Sequence, residues 1–229
     1  MPRKPKVAAI QMASSPSVSA NLLKARRLIQ EAVEESGANL VVLPENFAFM
    51  GQEDRDLLDL REDEGRGPLQ DFLVEMAARH RIWLVGGTLP LTATNPERVR
   101  ATCLVYNDRG ERVARYDKIH LFDVNLLETG ERYEESATIE PGNTSVVLDT
   151  PFGRLGLAVC YDLRFPELFR EMLDAGMEIM ALPASFTAIT GKAHWEVLVR
   201  ARAIENLCYV VAAAQGGYHR NGRKTHGHS

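Results

Sequence analysis

The sequence has no long apolar run, no cysteine framework and no excess of basic charge, and each lack removes a class of function. A membrane-spanning helix needs about 20 consecutive apolar residues, and the apolar runs here are strand-sized, so no membrane partner is expected. Three cysteines, Cys103, Cys160 and Cys208, lack the spacing of a disulfide scaffold or a zinc site, and no Cys-x-x-Cys serves disulfide exchange. A reducing cytoplasm fits them best. The formal net charge of -4 leaves no dominant basic face to displace counterions from phosphates, which argues against a nucleic-acid partner. The basic start, Met1 to Lys6, precedes Val7 to Met12, a stretch too short and too interrupted by Gln11 for a signal peptide. There is no fixed-period repeat, low-complexity tract or linker. What remains reads as one soluble domain of 229 residues, 45% hydrophobic and 25% charged, whose expected partner is a small molecule.

The hydrophobic pattern alternates between periods of two and of about 3.6. Val7 to Met12 reads as strand, and Ser19 as the N-cap of a helix through Glu35 whose stripe is Leu22, Leu23, Ala25, Leu28, Ile29, Ala32 and Val33, ended by Gly37. Leu40 to Leu43 is continuously apolar, as a strand covered on both faces would be, and Pro44 stops it just before Glu45. Gln52 to Arg66 is rich in acids and reads as a solvated face or a mobile rim over a pocket. Pro68 to Arg81 reads as helix, Trp83 to Leu89 as strand, and Arg98 to Asn107 with Arg112 to Tyr116 as a hairpin turned at Asp108-Arg109-Gly110. The stretch Lys118 to Gly142 is long for a connection without clear secondary structure; such loops are usually functional or disordered, and here the functional reading is favoured. Beyond it, strands are expected at Ser145 to Asp149, Leu155 to Val159, Ile179 to Leu182 and Tyr209 to Ala214. Helices are expected at Pro166 to Ala175 and at Ala193 to Asn206, the latter with Val197, Leu198, Ala201 and Ile204 on one face. The pattern is α/β with mixed sheets, two of them packed face to face and covered by helices.

Chemistry concentrates at strand exits. Leu155, Leu157 and Val159 alternate with Gly156 and Ala158, deliver Cys160, and are followed by Tyr161, Asp162 and Arg164 before Pro166 opens a helix. A thiol at the carboxyl end of a strand stands where α/β sheets bind ligands, and nearby helix N-termini favour a thiolate. Glu45 occupies another strand exit, and Lys118 opens the long loop. Each has a bland reading: a turn cap, a solvated cation, a packing cysteine. Together they supply a base, a cation to face an oxyanion and a nucleophile, the parts of acyl transfer. A non-catalytic binding module with the same pocket is the alternative of another class. Arg164 has two readings as well, a carboxylate clamp beside the thiol or an ion pair with Asp162 or Glu167. His219, His226 and His228 lie in a glycine-rich, flexible-looking segment without a metal-ligand pattern, so no metal is assigned.

Five stretches carry a resemblance. Leu-Pro-Glu at 43 to 45, Lys-Ile-His-Leu-Phe-Asp at 118 to 123, Tyr-Glu-Glu-Ser at 133 to 136, Val-Cys-Tyr-Asp-Leu-Arg-Phe-Pro-Glu at 159 to 167 and Gly-Lys-Ala-His-Trp-Glu at 191 to 196 stand in the order found in the nitrilase-like carbon-nitrogen hydrolases. The resemblance implies a four-layer α-β-β-α sandwich, a homodimer through helices that extend the stack across a two-fold axis, and no cofactor. It implies a catalytic set of Glu45, Lys118 and Cys160 with Glu135 as a second glutamate, and substrate-binding roles for Tyr161, Arg164 and Ser185. Within the family, His194 to Leu198, Arg200 to Glu205, Tyr209 to Gln215 and Gly227 to Ser229 are most similar to the amidases of deaminated glutathione, with the omega-amidases of dicarboxylic monoamides as close competitors. The implied reaction is hydrolysis of the amide of a small 2-oxo acid through a cysteine thioester. Family chains continue past Gly-His-Ser into a further strand and tail, so residues 1–229 are expected to form a single hydrolase domain without that strand.

Overall fold

The computed structural model describes residues 5–126 and 131–229; the start of the basic segment, Met1 to Lys4, and residues 127–130 of the long loop lie outside them. Alternation along the strands decides the architecture. In β2 (Leu40–Val42) and the residue after it, Leu40 and Val42 face one core while Val41 and Leu43 face another, all four fully buried. Two apolar faces require two covering layers. Burying a side chain of this size contributes roughly 1.5–3 kcal/mol, so this short strand anchors both cores.

The first sheet runs β1 (Val7–Ala9), β2 and β3 (Trp83–Val85) in parallel, then β5 (Val99–Tyr106) antiparallel to β3. β4 (Leu89–Thr92) shares that edge of β5, and β6 (Arg112–Asp117) pairs with the other. Trp83 to Leu89 is thus broken between two strands, because Gly87, at φ 61°, lies against the Pro44 carbonyl where a Cβ would collide. The second sheet is β9 (Val146–Thr150), β10 (Gly153–Leu157), β11 (Ile179–Ala184) and β12 (Tyr209–Ala214), parallel except for β9. One core lies between the sheets, with Val85, Cys103 and Val105 meeting residues such as Leu155, Leu157 and Ala181.

Helices α1 (Val18–Ser36) and α2 (Pro68–His80) cover the first sheet through Ala25, Ile29, Phe72, Leu73 and Met76. Helices α3 (Pro166–Asp174) and α4 (Ala188–Glu205) cover the second through Phe169, Met172 and Trp195. The expected α-β-β-α stack is the one found.

Several boundaries move. Ser17, not Ser19, caps α1, its hydroxyl accepting from the Ala20 N–H, and Leu23 is exposed. Gly37 closes the helix at φ 68°. Helix α4 begins at Ala188, capped by Thr187, and its buried residues are Gly191, Trp195 and Arg202, whereas Val197 and Ile204 point outward at 68% and 70% exposure. The long loop holds a hairpin of β7 (Asp123–Leu126) and β8 (Glu131–Glu134). The glycine-rich end forms another, β13 (Gly216–Tyr218) with β14 (Lys224–His226), in place of the flexible segment expected. Most of the acidic stretch is the solvated face expected, and Glu62 is the exception: it is buried and accepts from the N–H groups of Leu69 and Gln70 at the start of α2, a favourable place for a carboxylate. No helix among the described residues is long and apolar enough to cross a membrane.

Candidate active site

Glu45 is 4% exposed at the exit of β2. The turn around it is held from three sides: Leu43 N–H donates to the Val85 carbonyl at 2.9 Å, Asn46 at φ 56° donates to Thr88 Oγ1 at 2.9 Å, and the Glu45 carbonyl accepts from Gln215 Nε2 at 2.9 Å. Lys118 follows β6 and is 1% exposed, its N–H on the Ala101 carbonyl and its own carbonyl accepting from Gly142 N–H. Its Nζ stands 2.8 Å from Glu45 Oε1 and 2.8 Å from each oxygen of Glu135. Glu135 opens a single 3-10 turn (Glu135–Ala137), and its Oε2 also accepts from the Phe122 N–H at 2.6 Å. Of the two adjacent acids at 134 and 135 it is therefore Glu135 that reaches the site, while Glu134 pairs with Arg132 outside.

Burial alone would lower the Lys118 pKa, but the charges of Glu135 and Glu45 reverse this and hold it well above the usual lysine value. Burial pushes Glu135 up, Lys118 opposes this, and Glu45 adds to it. Lys118 is accordingly a fixed cation and not a proton shuttle.

Cys160 sits at φ 49°, a region that non-glycine side chains rarely occupy and that typically costs about 1–3 kcal/mol. It starts a 3-10 turn, Cys160–Arg164, that brings the thiol into the pocket Glu45 also lines, with the Ser185 N–H 3.5 Å from Sγ. The thiol is buried. Burial and the Glu45 charge push its pKa well above the ordinary value, so the resting group is a thiol and the thiolate expected from the strand-to-helix position is not formed. A nucleophile in this state needs a base at the moment of attack, and Glu45 is in place to act as one.

The strained turn is held by Asp162, which is fully buried. Its Oδ2 accepts from Tyr116 Oη at 2.7 Å and from Val159 N–H at 2.8 Å, and its Oδ1 meets His120 N–H and Nδ1 at 2.9 and 2.8 Å. Three segments are thus tied to one carboxylate. Asp162→Ala strands these donors, and at about 1–3 kcal/mol for each unsatisfied buried group it is expected to lower unfolding stability by at least about 3 kcal/mol in urea titrations; a loss below ~1 kcal/mol would deny Asp162 this role.

With Asp162 so engaged, the alternative reading of Arg164 as an ion pair with Asp162 or Glu167 is not the one found, and Arg164 has no carboxylate partner among the described residues. Its guanidinium lies over the rings of Tyr161 and Phe186, at 5.7 and 5.3 Å, and meets His194 Nδ1 at 3.3 Å. Glu45, Lys118, Glu135, Cys160, Tyr161, Arg164 and Ser185 all line one pocket, so every site residue expected from the sequence converges. Phe122, Tyr133, Phe186 and Arg223 line it too and were not anticipated. Among the described residues of the acidic stretch, Leu57 alone reaches it. Arg223 gave no sequence signal because it lies in the glycine-rich hairpin. His219 in that hairpin is engaged internally, with the Ser14 carbonyl at 2.9 Å and Thr225 Oγ1 at 2.7 Å, and the rings of His226 and His228 stack on each other at 4.3 Å.

The carbon-nitrogen hydrolase family model matches residues 6–229. A Yersinia enterocolitica protein named deaminated glutathione amidase is 44% identical over 97% of this chain and 77% of its own length. Among solved structures, Saccharomyces cerevisiae Nit3, a member of branch 10 of the nitrilase superfamily, superposes with a TM-score of 0.88 at 33% identity, covering 99% of this chain and 81% of that one. The Caenorhabditis elegans NitFhit protein does so with a TM-score of 0.85 at 36% identity, covering 99% of this chain and 56% of that one. With the acid, cation and thiol brought together as the resemblance implied, the chain belongs to the carbon-nitrogen hydrolase family.

Proposed function

We propose that the protein is an amidase of deaminated glutathione, acting through a cysteine thioester. The observation that carries the reading is the buried lysine bonded to two glutamates in the pocket that the buried Cys160 thiol lines. Glu45 takes the Cys160 proton as Sγ attacks the amide carbonyl, and the oxyanion is met by Lys118 and the backbone N–H of Tyr161. Glu45 then protonates the leaving nitrogen, and cysteinyl-glycine departs. A water deprotonated by Glu45 cleaves the thioester, releasing 2-oxoglutarate and restoring the thiol. Glu135 fixes Lys118 and the Phe122 backbone, which keeps the cation aimed while Glu45 changes protonation state. No cofactor enters these steps.

Arg164 is free to take the 2-oxo acid carboxylate, since no acid of the chain claims it among the described residues, and its flanking rings fix its plane. Deaminated glutathione is expected to be hydrolysed faster than 2-oxoglutaramate. Arg164→Ala should lower kcat/KM on both by roughly 10- to 150-fold, the range of a charge-assisted hydrogen bond. Release of 2-oxoglutarate together with the acyl-enzyme mass checks both points. Equal rates on neutral amides, or an indifferent Arg164→Ala, would leave the substrate open, and binding without acyl-enzyme would favour the non-catalytic module.

The same reading takes residues 1–229 as one catalytic unit, since Glu45 and Lys118 come from one sheet and Cys160 from the other. It places the protein in a reducing cytoplasm, in keeping with three unpaired, buried cysteines. The homodimer is supported by the outward Val197, Ile204, Leu207 and Tyr209, an apolar surface on and after α4.

A further inference from the structure

Two pocket-lining residues carry buried polar atoms without a partner among the described residues, Ser185 Oγ and Arg223 Nε. Buried donors are nearly always satisfied, so two orphans on touching residues mark a place where a ligand supplies the acceptor. They do touch: the Arg223 guanidinium donates to the Ser185 carbonyl at 3.0 Å, and the same guanidinium lies 5.2 Å from the centre of the Tyr133 ring.

The contacts around these two residues close into a ring. Arg164 stacks on Tyr161, Tyr161 meets Phe122 at 5.1 Å, Phe122 meets Tyr133 at 5.0 Å, Tyr133 lies under Arg223, and Arg223 returns through Ser185 and Phe186 to Arg164. The two arginines therefore stand at separate points of one rim, with Cys160 in the pocket it encloses. The other cations lining the pocket are already paired, Lys118 with Glu45 and Glu135 and Arg100 with Glu140. Arg164 and Arg223 have no carboxylate partner among the described residues, and an anion at each would complete the pocket.

We infer that Arg223, with the Ser185 hydroxyl, binds a second carboxylate, the one on the leaving-group side of the scissile amide, so that the site selects extended dianionic amides. This rests on the reading above. There Arg164 takes the acyl-side carboxylate, and Arg223 takes the C-terminal carboxylate of the departing dipeptide. 2-Oxoglutaramate, with an unsubstituted amide, has nothing to offer Arg223.

The test uses three substrates: deaminated glutathione, its analogue ending in glycinamide, and 2-oxoglutaramate. The wild-type protein should prefer the acid over the glycinamide by roughly 10- to 150-fold in kcat/KM. Arg223→Met should lose a similar factor on deaminated glutathione, mainly in KM. It should treat acid and glycinamide alike and stay within about 3-fold on 2-oxoglutaramate, with Arg223→Lys in between. Equal losses on all three substrates would reduce Arg223 to a prop for the Ser185 wall, and no loss would remove it from binding; either overturns the inference. Should Arg223→Met fail to fold, the wild-type comparison decides alone, and equal rates on acid and glycinamide overturn it. Wild-type protein that turns over none of the three refutes the amidase reading itself, and the inference falls with it, a result distinct from a selective loss.

Discussion

Cys160→Ala is expected to abolish turnover, with a loss on the order of 10⁴- to 10⁶-fold, the scale on which removal of a catalytic nucleophile is felt. Stability should change little, by less than about 1.5 kcal/mol, because one small buried side chain replaces another and alanine meets the same positive φ. The other two cysteines are controls. Cys103 is fully buried in the core between the sheets, its thiol pushed by burial to a pKa of about 12, and Cys208 sits at the entry to β12. Neither lines the pocket, so Cys103→Ala and Cys208→Ala should retain most activity. Near-normal turnover by Cys160→Ala would sink the thioester mechanism.

Lys118→Ala is expected to lower kcat by about 10²-fold or more, the usual result of removing an oxyanion donor. It should also destabilise the fold by roughly 3–5 kcal/mol, because removing one member of a buried ionic group leaves the others uncompensated. The pH dependence separates the two effects. Without Lys118, the Glu135 carboxyl, already raised by burial, rises further beside Glu45. A carboxyl whose folded pKa exceeds its unfolded one holds a proton that unfolding releases, so the folded state is favoured at low pH and loses that advantage as pH rises through the folded pKa. Denaturant titrations at pH 5 and pH 8 should therefore show the larger deficit at pH 8. A change confined to KM would mean that Lys118 only helps to bind substrate, and a deficit independent of pH would deny its hold on the Glu135 carboxyl.

Residues that end strands were the legible part of the site. Pro44 and the polar run after Val159 mark exits that local sequence alone defines, and Glu45 and Cys160 stand immediately beyond them. Two packed sheets under helices were readable from the number of strands alternating with helices, Leu40 to Leu43 showed a strand covered on both faces, and the four-layer stack itself came from the family resemblance. Features fixed by distant contacts were not readable. Arg223 has meaning only because Ser185 and Tyr133 come to it, and the outward turn of Val197 and Ile204 is set by Trp195 and Arg202 packing inward. Within the acidic stretch Glu62 was unreadable for a related reason: it looks like its solvated neighbours until the start of α2 arrives to use it. The thiolate expectation failed because it weighed the turn and not the burial contributed by the rest of the chain.

Gln215 gives the site a temporal order. Its side chain donates to Ser14 Oγ at 2.7 Å and to the carbonyl of Glu45 at 2.9 Å, and its Oε1 accepts from the Ser14 N–H, closing contacts 201 and 170 residues apart in sequence. Pairings of such separation form late, since the chain entropy of closing the loop is lost before the contacts reward it. During synthesis the acid and the lysine leave the ribosome well before the residue that fastens the acid's turn. Recovery of activity after dilution from denaturant should therefore lag behind recovery of helical circular dichroism, so the appearance of enzyme activity is a clock for the last docking step of folding.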